Sequence, residues 1–544
     1  MLKVSKKIFL LSLIFIGNIF CQDYPNLTVV IVIDQLANHK VQQLLPFLKG
    51  GIKFLAENGI YYQDATYPYA NTSTAPGHAT LASGVTPKEH GIVANYWYDE
   101  KGKKIKSISD LSKKYPVFYR DEKNTKFKSA ANIMVDNLSD QMIMQNSPFN
   151  KVFSLSMKDR AAIGMGGKLG KTIWFDSVVG KFTSSKAYFD ELPAWLDAFN
   201  NKVFPVADYF WTLCYHKNSG AYNFDDIGNY AKVAQKPLIG QKIQFFDEAA
   251  KDESGHDAFL QSPKSDDVLL GLARECLNKE FENKPKTKFL LWISLSSLDK
   301  VGHIFGPDSF EYIDTIYQLD KQIFDFIQFV YSKVNPQKVL FVLTADHGTM
   351  SIVENLKKKG MNAERFDIKK IIENLNVEIE KEFAIKELVK DFKFPQFYLD
   401  ESKLKDIDME KRAKILSFIK SILRQHPAIK QCWTASEISS AYYPENSLES
   451  VYKNDLFPGR SGQVFCHIYP YMYIEKYDTG TGHTSPYAYS SQVPLVVFQK
   501  DKFEHKKVAK RVYVPQLANS LAQVLDVPKP SASTYKALPY FPGK

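Results

Sequence analysis

The chain has 544 residues, of which 44% are hydrophobic and 24% are charged, and this balance excludes intrinsic disorder, collagen and a coiled coil. Seventy lysines and arginines against sixty acidic residues give a net charge of +10, without a long block of like charge. So thin a surplus is weak evidence for nucleic acid, and we expect no binding of a nucleic-acid duplex.

The first 21 residues are typical of a secretory signal peptide. Three lysines precede an apolar run at 8–20, which is short for a membrane span. A signal peptidase could cut after Cys21, so we predict an exported protein, periplasmic or secreted, without a transmembrane span in the mature chain. A lipid anchor on Cys21 is the alternative, and it is disfavoured because Phe20 is bulky where a lipobox has a small residue.

Short apolar, β-branched runs predict strands that are buried on both faces. Helix-length segments separate these runs, so the pattern predicts an α/β fold with a central, mostly parallel sheet flanked by helices. The predicted strands are residues 27–33, 152–155, 289–295, 339–343 and 493–498.

A charge-rich segment with helical periodicity predicts an inserted α+β cap or accessory subdomain. Its predicted elements are helices at 367–383 and 409–424 and a strand near 394–399. The predicted organisation is a signal peptide at 1–21, the first part of the core at 22–359, the insert at 360–445 and the C-terminal part of the core at 446–544.

The five cysteines contain no CxxC motif and have no regular spacing. They therefore predict neither a cysteine metal site nor a disulfide scaffold. We interpret them mainly as buried thiols, and in an oxidising compartment one or two disulfides would be compatible with the sequence. The cysteines are Cys21, Cys214, Cys276, Cys432 and Cys466.

Three of the predicted strands end at carboxylates, two of them with a nearby histidine. In an open α/β sheet, ligands bind at the carboxyl ends of strands, and Asp and His suit zinc or a similar divalent ion. A single strand-end Asp more often caps a helix or forms a turn, but three such ends together are harder to explain in that way. The residues are Asp34 after the first strand, Asp299 and His303 after the third, and Asp346 and His347 after the fourth.

The spacing of Asp299 and His303 allows them to share one helical turn or a tight loop and bind one ion, with Gly302 letting the chain bend close. An exposed polar turn is the alternative. His347 could point to the opposite side and serve a different partner, or simply flank a turn at Gly348.

A hydroxyl-rich segment at 71–84 supplies a candidate nucleophile, Thr74. A strand-to-helix turn would place its hydroxyl at a helix amino end, where backbone N–H groups also favour an anion. Without further context such a segment is more often a helix cap. A second polar anchor, Asn95, follows 21 residues after Thr74.

Six segments together resemble the alkaline phosphatase superfamily. They occur in order between residues 34 and 483, and that combination is far more specific than a lone Asp-His-Gly. The segments are Asp34, Thr74-Ala-Pro-Gly-His78, His90-Gly-Ile-Val-Ala-Asn95, Asp299-x-x-x-His303, Ala345-Asp-His-Gly348 and Thr481-Gly-His483.

Within the superfamily, Ser156-Met-Lys-Asp-Arg160 is similar to a segment of the secreted phosphate-irrepressible (PafA-like) alkaline phosphatases. The resemblance implies two Zn²⁺ ions, a nucleophilic Thr74 that is phosphorylated during turnover, and small phosphorylated substrates. The implied ligands are Asp34, Thr74, Asp346 and His347 for one ion and Asp299, His303 and His483 for the other, with Asn95, Lys158 and Arg160 contacting phosphate.

We expect the strand at 152–155 to present Lys158 and Arg160 on one face, since they are two residues apart. A solvated basic strand end is the alternative. Two zinc ions balance three aspartates and a Thr74 alkoxide, so Lys158 and Arg160 leave two positive charges. That surplus matches a dianionic phosphate monoester better than a diester.

The predicted activity is therefore zinc-dependent hydrolysis of phosphate monoesters by a monomeric enzyme. A nucleotide pyrophosphatase/phosphodiesterase is the first alternative, because it shares the Thr, Asn and metal ligands and only the Lys-Asp-Arg segment separates the two. A sulfatase is disfavoured because its C/S-x-P-x-R pattern is absent near Thr74. A non-catalytic, zinc-stabilised surface protein is the third option, and the complete set of ten site positions argues against it.

Overall fold

The computed structural model describes residues 24–222, 238–247, 253–445, 447–475 and 479–541. The predicted signal peptide, with Cys21, lies outside the described residues. Within these ranges we find no helix that combines the length and the hydropathy of a membrane span.

Twenty strands form five sheets in the described part of the chain. In chain order they are β1 (Leu27–Ile33), β2 (Ile60–Thr66), β3 (Tyr96–Tyr98), β4 (Lys104–Lys106), β5 (Asn150–Ser156), β6 (Lys171–Asp176), β7 (Lys181–Thr183), β8 (Tyr209–Phe210), β9 (Lys242–Ile243), β10 (Lys288–Leu295), β11 (Val339–Thr344), β12 (Glu364–Asp367), β13 (Val389–Lys393), β14 (Gln396–Leu399), β15 (Ile429–Thr434), β16 (Val464–Ile468), β17 (Met472–Glu475), β18 (Gln492–Phe498), β19 (Lys506–Val508) and β20 (Val512–Tyr513).

Eighteen α-helices accompany these strands among the described residues. They are α1 (Asn38–Leu44), α2 (Gly51–Asn58), α3 (Thr74–Ser83), α4 (Pro87–His90), α5 (Leu138–Met144), α6 (Asp159–Gly166), α7 (Ala194–Val203), α8 (Asp257–Leu260), α9 (Pro263–Glu280), α10 (Ser297–Phe305), α11 (Phe310–Lys333), α12 (Val353–Lys358), α13 (Ile368–Phe383), α14 (Met409–Leu423), α15 (Ala435–Ser440), α16 (Leu448–Lys453), α17 (Ala488–Ser491) and α18 (Gln516–Leu525).

A ten-stranded sheet forms the centre of the protein, in the order β19-β2-β18-β11-β1-β10-β5-β6-β7, with β20 beside β2. The five strands from β11 to β6 run parallel. The predicted α/β fold with a mostly parallel sheet is thereby confirmed. One predicted strand, β18, differs in direction, since it runs antiparallel to both β11 and β2.

The first strand, β1, lies between β10 and β11 and shows why the apolar runs form the sheet. All seven of its residues are buried, as expected for a strand that helices cover on both faces. Ile33 is opposite Leu295 of β10, and Val32 is opposite Thr344 of β11. The three strands therefore end at the same edge of the sheet, and whatever follows them meets there.

A second hydrophobic core belongs to a smaller α+β unit. Its antiparallel sheet has the order β13-β14-β16-β15, and the apolar faces of α13 and α14 pack against it. Both helices and β14 lie where the sequence predicts them. This sheet also takes in β16, from beyond residue 445, and the division of the chain at residues 360 and 445 stays a prediction.

Candidate active site and metal centre

Three carboxylates meet at the carboxyl edge of the central sheet. Asp34 directly follows β1, Asp346 lies two residues beyond β11, and Asp299 is in the first turn of α10, which follows β10. All three side chains are almost completely buried. The convergence follows from the register, because β1 pairs with β10 up to Ile33 and with β11 up to Val32.

Three histidines face these carboxylates, each with its ring orientation set by the backbone. The Nδ1 atoms of His303, His347 and His483 lie between 2.7 and 3.0 Å from carbonyl oxygens. Because a carbonyl only accepts, each Nδ1 donates, and each Nε2 keeps its lone pair for another partner. The carbonyls belong to Thr481, Gly348 and Thr72, respectively.

The Nε2 atoms point at the carboxylates in two clusters. His303 Nε2 is 3.2 Å and His483 Nε2 is 3.8 Å from Asp299 Oδ1. His347 Nε2 is 3.5 Å from Asp34 Oδ1 and 3.4 Å from Asp346 Oδ2. His347 therefore faces the same site as the strand-end carboxylates, which the sequence alone left open.

Three buried ligand atoms that lack a hydrogen-bond partner show that this group of carboxylates and imidazoles fits a cation. Asp34 Oδ1, Asp346 Oδ2 and His347 Nε2 are buried and have no hydrogen-bond partner in the structure. All three can act as lone-pair donors to a metal, and a buried acceptor without a partner is costly. Burial and the neighbouring Asp34 raise the pKa of Asp346 well above its ordinary value. A divalent ion here would satisfy these atoms and hold the carboxylate ionised.

Lys158 lies between two of the carboxylates. Its Nζ is 2.6 Å from Asp34 Oδ2 and also contacts Asp299 Oδ2. Burial opposes the ammonium charge, but Asp299 and Asp34 outweigh it and raise the pKa of Lys158. Burial likewise opposes the ionised form of Asp299, yet Lys158 and the nearby imidazoles lower its pKa well below the ordinary value.

The predicted strand does not carry Lys158 and Arg160. The strand β5 ends at Ser156, Lys158 is the residue before α6, and Arg160 is in the first turn of that helix. Arg160 Nη2 lies 3.5 Å from Thr74 Oγ1, and its buried Nε has no hydrogen-bond partner. The two cations thus reach one cavity from a helix start rather than from one face of a strand.

Thr74 is the first residue of α3, as the hydroxyl-rich segment predicts, and only 1% of it is exposed. The next residue, Ala75, donates its backbone N–H to Asn95 Oδ1 at 2.9 Å. This bond ties the candidate nucleophile to the second polar anchor and leaves the Asn95 amide group for another acceptor.

Gln35 is a site residue that the sequence analysis missed. Its backbone N–H donates to Asp346 Oδ1 at 3.1 Å, and its Nε2 donates to Asp299 Oδ1 at 2.8 Å. The residue has a positive φ of 72°, which turns the chain sharply after Asp34. Gly302 leaves room for it, because a Cβ there would collide with the Gln35 amide oxygen. Its position next to Asp34 is the only signal for it in the sequence.

His78 also lies in the site without having been assigned a role. Its Nδ1 is 2.8 Å from the Thr74 carbonyl oxygen, and its Nε2 is 2.8 Å from Ser294 Oγ. Burial lowers the pKa of this imidazole to about 4, so it is neutral at pH 7. His78 therefore fixes the first turn of α3 against β10.

Two cavities open from this centre. One, of about 600 Å³, is lined by His303 and His483 and by Lys393 and Phe394 of the smaller unit. The other, of about 740 Å³, includes Lys158, Arg160 and Asp299. Asn95, Tyr96, Lys300 and His303 line both cavities. The site thus has room for a substrate considerably larger than a phosphate group.

Relatives of the chain cover almost its whole length. Alkaline phosphatase PhoV of Synechococcus elongatus is 27% identical over 529 residues, which are 94% of this chain and 92% of that protein. Alkaline phosphatase PafA of Elizabethkingia meningoseptica is 27% identical over 526 residues, which are 94% of each chain. The resemblance to the alkaline phosphatase superfamily is thereby confirmed.

Solved structures share the fold, and a family model spans the site. The crystal structure of alkaline phosphatase PafA has a TM-score of 0.85 at 24% identity and covers 96% of this chain and 99% of its own. Murine ectonucleotide pyrophosphatase/phosphodiesterase 5 has a TM-score of 0.50 at 14% identity, covering 95% and 97%. The model of type I phosphodiesterases / nucleotide pyrophosphatases matches residues 28–489. Because this match includes most of the chain and every residue of the candidate site, the protein belongs to the type I phosphodiesterase / nucleotide pyrophosphatase family.

Proposed function

We propose that the protein is an alkaline phosphatase that hydrolyses small phosphate monoesters with two Zn²⁺ ions and a phospho-threonine intermediate. The observation that carries the proposal is the position of two cations at the metal centre. Lys158 Nζ lies 2.6 Å from Asp34, and Arg160 Nη2 lies 3.5 Å from Thr74 Oγ1. The names of the relatives PhoV and PafA support the same activity.

The geometry supports part of the proposed ligand sets. Asp299, His303 and His483 would hold one ion, since their ligand atoms lie together. The other ion would be held by Asp34, Thr74, Asp346 and His347. When bound, the two ions would lower the pKa of the Thr74 hydroxyl and stabilise the oxygen of the leaving group.

The side chains of the protein then perform the following steps. Thr74 Oγ1 gives its proton to water and attacks phosphorus, in line with the ester oxygen, so that the bond from phosphorus to the alcohol breaks as the bond to threonine forms, and the departing alkoxide takes a proton from water. Water then attacks the phospho-threonine, which releases inorganic phosphate and restores the Thr74 hydroxyl. The planar Arg160 guanidinium holds two phosphoryl oxygens, and the Asn95 amide group donates to a third. His78 and the Ala75–Asn95 hydrogen bond keep Thr74 in position at the start of α3.

The charge of the site favours a monoester over a diester. The two zinc ions balance Asp34, Asp299, Asp346 and an ionised Thr74, so Lys158 and Arg160 remain to neutralise the phosphate. The terminal phosphate of a monoester carries two negative charges and a diester carries one. A site built for the dianion therefore loses an interaction with a diester.

A nucleotide pyrophosphatase/phosphodiesterase is the second candidate, and the family model that the chain matches favours it by its description. A kinetic comparison of an aryl phosphate monoester with its methyl diester, on zinc-loaded protein, separates the two. We expect kcat/KM to be at least roughly 100-fold higher for the monoester. A preference for the diester would favour the second candidate, and zinc binding without hydrolysis of either ester would favour the third option, a non-catalytic surface protein.

We also propose that the enzyme is exported to the periplasm or secreted, and that it is monomeric. Cleavage of the signal peptide would be tested by mass spectrometry of the mature N-terminus, with Gln22 as the expected first residue. A diacylglycerol-modified Cys21 would instead show the lipid anchor. Light scattering of the purified protein measures its oligomeric state.

A further inference from the structure

The cavity on the Arg160 side of the site is strongly basic. Nine lysines and arginines line it, against four aspartates. The cavity includes Asp299 and His303 of the metal centre. It continues along the segment at 103–128, which contains β4 and leads towards α5. Its volume of about 740 Å³ is far more than a phosphoryl group fills.

The acidic residues of this cavity are already engaged. Arg120 binds both carboxylate oxygens of Asp176, at 2.7 and 2.8 Å. Lys128 Nζ is 2.6 Å from Asp159. Asp110 accepts hydrogen bonds from the backbone of its own loop. These contacts hold the 103–128 segment against β6 and α6. They leave no carboxylate of the cavity lining to pair with its other lysines.

Four lysines that line this cavity, which we call the lysine wall, have exposed side chains and make no ion pair in the described part of the chain. They sit on two strips of backbone that lie side by side, because the N–H of Asp110 donates to the Phe127 carbonyl at 3.0 Å. Asn132 Nδ2 holds one of these strips through carbonyl oxygens 3.1 and 3.2 Å away. The four are Lys103, Lys106, Lys113 and Lys126.

We infer that this lysine wall is a second anion subsite, which binds a phosphate carried by the alcohol portion of the substrate. The inference rests on the proposed function and narrows its substrate class to bisphosphorylated alcohols. Lys158 and Arg160 already balance the two negative charges of the reacting phosphate, so the positive charges of the lysine wall are not needed to bind it. The ion that Asp299, His303 and His483 would hold lies next to the leaving oxygen in the proposal, and Asp299 and His303 line this cavity, so the alcohol can extend along the lysine wall. Exposed lysines act at some distance, and salt therefore screens their attraction.

The matched substrates for the test are 3-hydroxypropyl phosphate and propane-1,3-diyl bisphosphate, which differ only in the second phosphate. The variant is Lys106→Gln/Lys126→Gln. The control is Lys369→Gln/Lys370→Gln on exposed positions of α13, which removes the same charge far along the chain. Initial rates are measured on zinc-loaded enzyme, per phosphate group, at low and at high ionic strength.

We expect the wild type to prefer the bisphosphate in kcat/KM at low salt, and the Lys106/Lys126 variant to lose roughly 5- to 20-fold of that preference. Activity on 3-hydroxypropyl phosphate should stay unchanged, and the control should behave as the wild type. A wild type without the preference, or a variant that retains it, would overturn the inference while leaving the proposed function standing. Hydrolysis of neither compound would overturn the inference, and failure to hydrolyse the aryl monoester as well would overturn the proposed function.

Two cysteines of the smaller unit carry a second inference independently. Cys432 of β15 is directly opposite Cys466 of the antiparallel β16. Their Sγ atoms are 2.7 Å apart, closer than two non-bonded sulfur atoms ordinarily pack, and both residues are fully buried. We propose that they form a disulfide in the exported protein. The two thiols lose two protons and two electrons, and a disulfide oxidant accepts both and is reduced to two thiols.

The test is alkylation of the exported, unfolded protein without reductant, followed by peptide mass spectrometry. We expect peptides joined through Cys432 and Cys466, and alkylated Cys214 and Cys276. Cys276 is as deeply buried as the pair and serves as the internal control. Alkylation of both Cys432 and Cys466 would overturn the proposal.

Discussion

The Lys158 ammonium lies 2.6 Å from Asp34 Oδ2 at the centre of the site. The same group contacts Asp299, which belongs to the other metal cluster of the proposal. One cation therefore bridges the carboxylates of two adjacent ligand sets. Such a lysine can stabilise negative charge that develops between the two sets, which is where the phosphoryl group would be.

The first prediction concerns Lys158 and Arg160. We expect Lys158→Ala/Arg160→Ala to lower kcat/KM for an aryl monoester by at least roughly 100-fold, because two charge-assisted contacts to the phosphate are lost. The loss for the methyl diester should be much smaller, since a diester has one negative charge less. Parallel assays of the two esters check this, and equal losses would contradict the charge argument.

The second prediction concerns the nucleophile. We expect Thr74→Ala to reduce kcat by roughly a thousandfold or more, since no hydroxyl remains to be phosphorylated. Metal content should change little because six other ligands remain. Thr74→Ser retains a hydroxyl at the start of α3 and is the matched control, with substantial activity. Full activity of Thr74→Ala at normal zinc content would exclude the phospho-threonine intermediate.

The third prediction is loss of both activity and stability on metal removal. Dialysis against a chelator leaves buried carboxylates and imidazoles without their ion, and a ligand that binds only the folded state raises its stability. We expect the chelated protein to be inactive with a lower midpoint of thermal unfolding, and Zn²⁺ to restore both. Recovery with Mg²⁺ alone would contradict the choice of zinc, which follows from the His and Asp ligands.

The main features of the site follow from the sequence because strand ends are local signals. A buried apolar run followed by Asp, directly at Asp34 and two residues beyond the strand at Asp346, places a carboxylate at the edge of a parallel sheet. This holds whatever the number of residues that separate the strands along the sequence. The helix start at Thr74 was equally local, since small and hydroxyl residues follow a predicted turn.

The remaining features depend on contacts between distant parts of the chain. Gln35 reaches Asp299, 264 residues away, and nothing around Gln35 predicts this hydrogen bond. The strand β16 pairs with β14 across more than sixty residues, which short apolar runs cannot specify. The sequence analysis placed Lys158 and Arg160 at the end of a strand and did not predict that helix α6 begins at Asp159. Asp159 was a signal for this helix, because an acidic residue is favoured in a first helical turn.

The fourth prediction concerns Gln35 as a positioning residue for the metal ligands. We expect Gln35→Ala to weaken zinc binding roughly 10- to 100-fold, because the Asp299 carboxylate loses the amide that orients it. The backbone bond to Asp346 remains in this variant. Competition with a zinc chelator measures the affinity, and Gln63→Ala on β2 is the control. Unchanged affinity would show that Asp299 is oriented without Gln35.

The last prediction concerns pH and the segment that leads to Thr74. Asp455 is fully buried and accepts the backbone N–H groups of Ala70 and Asn71. Burial raises the pKa of this carboxyl to about 8, whereas in an unfolded chain it is about 4. Between these values the folded protein binds one more proton than the unfolded one. The contribution of Asp455 to stability therefore falls as the pH rises, by up to about 1.4 kcal/mol per pH unit.

Asp455→Asn keeps an acceptor oxygen and removes the titration. We expect the unfolding midpoint of the wild type to fall more steeply between pH 5 and pH 8 than that of the variant, so that the difference grows with pH. Both proteins share every other titrating group, including the metal ligands, and their difference therefore reports on Asp455 alone. Parallel curves across this window would show that the carboxyl is already ionised in the folded protein near pH 5.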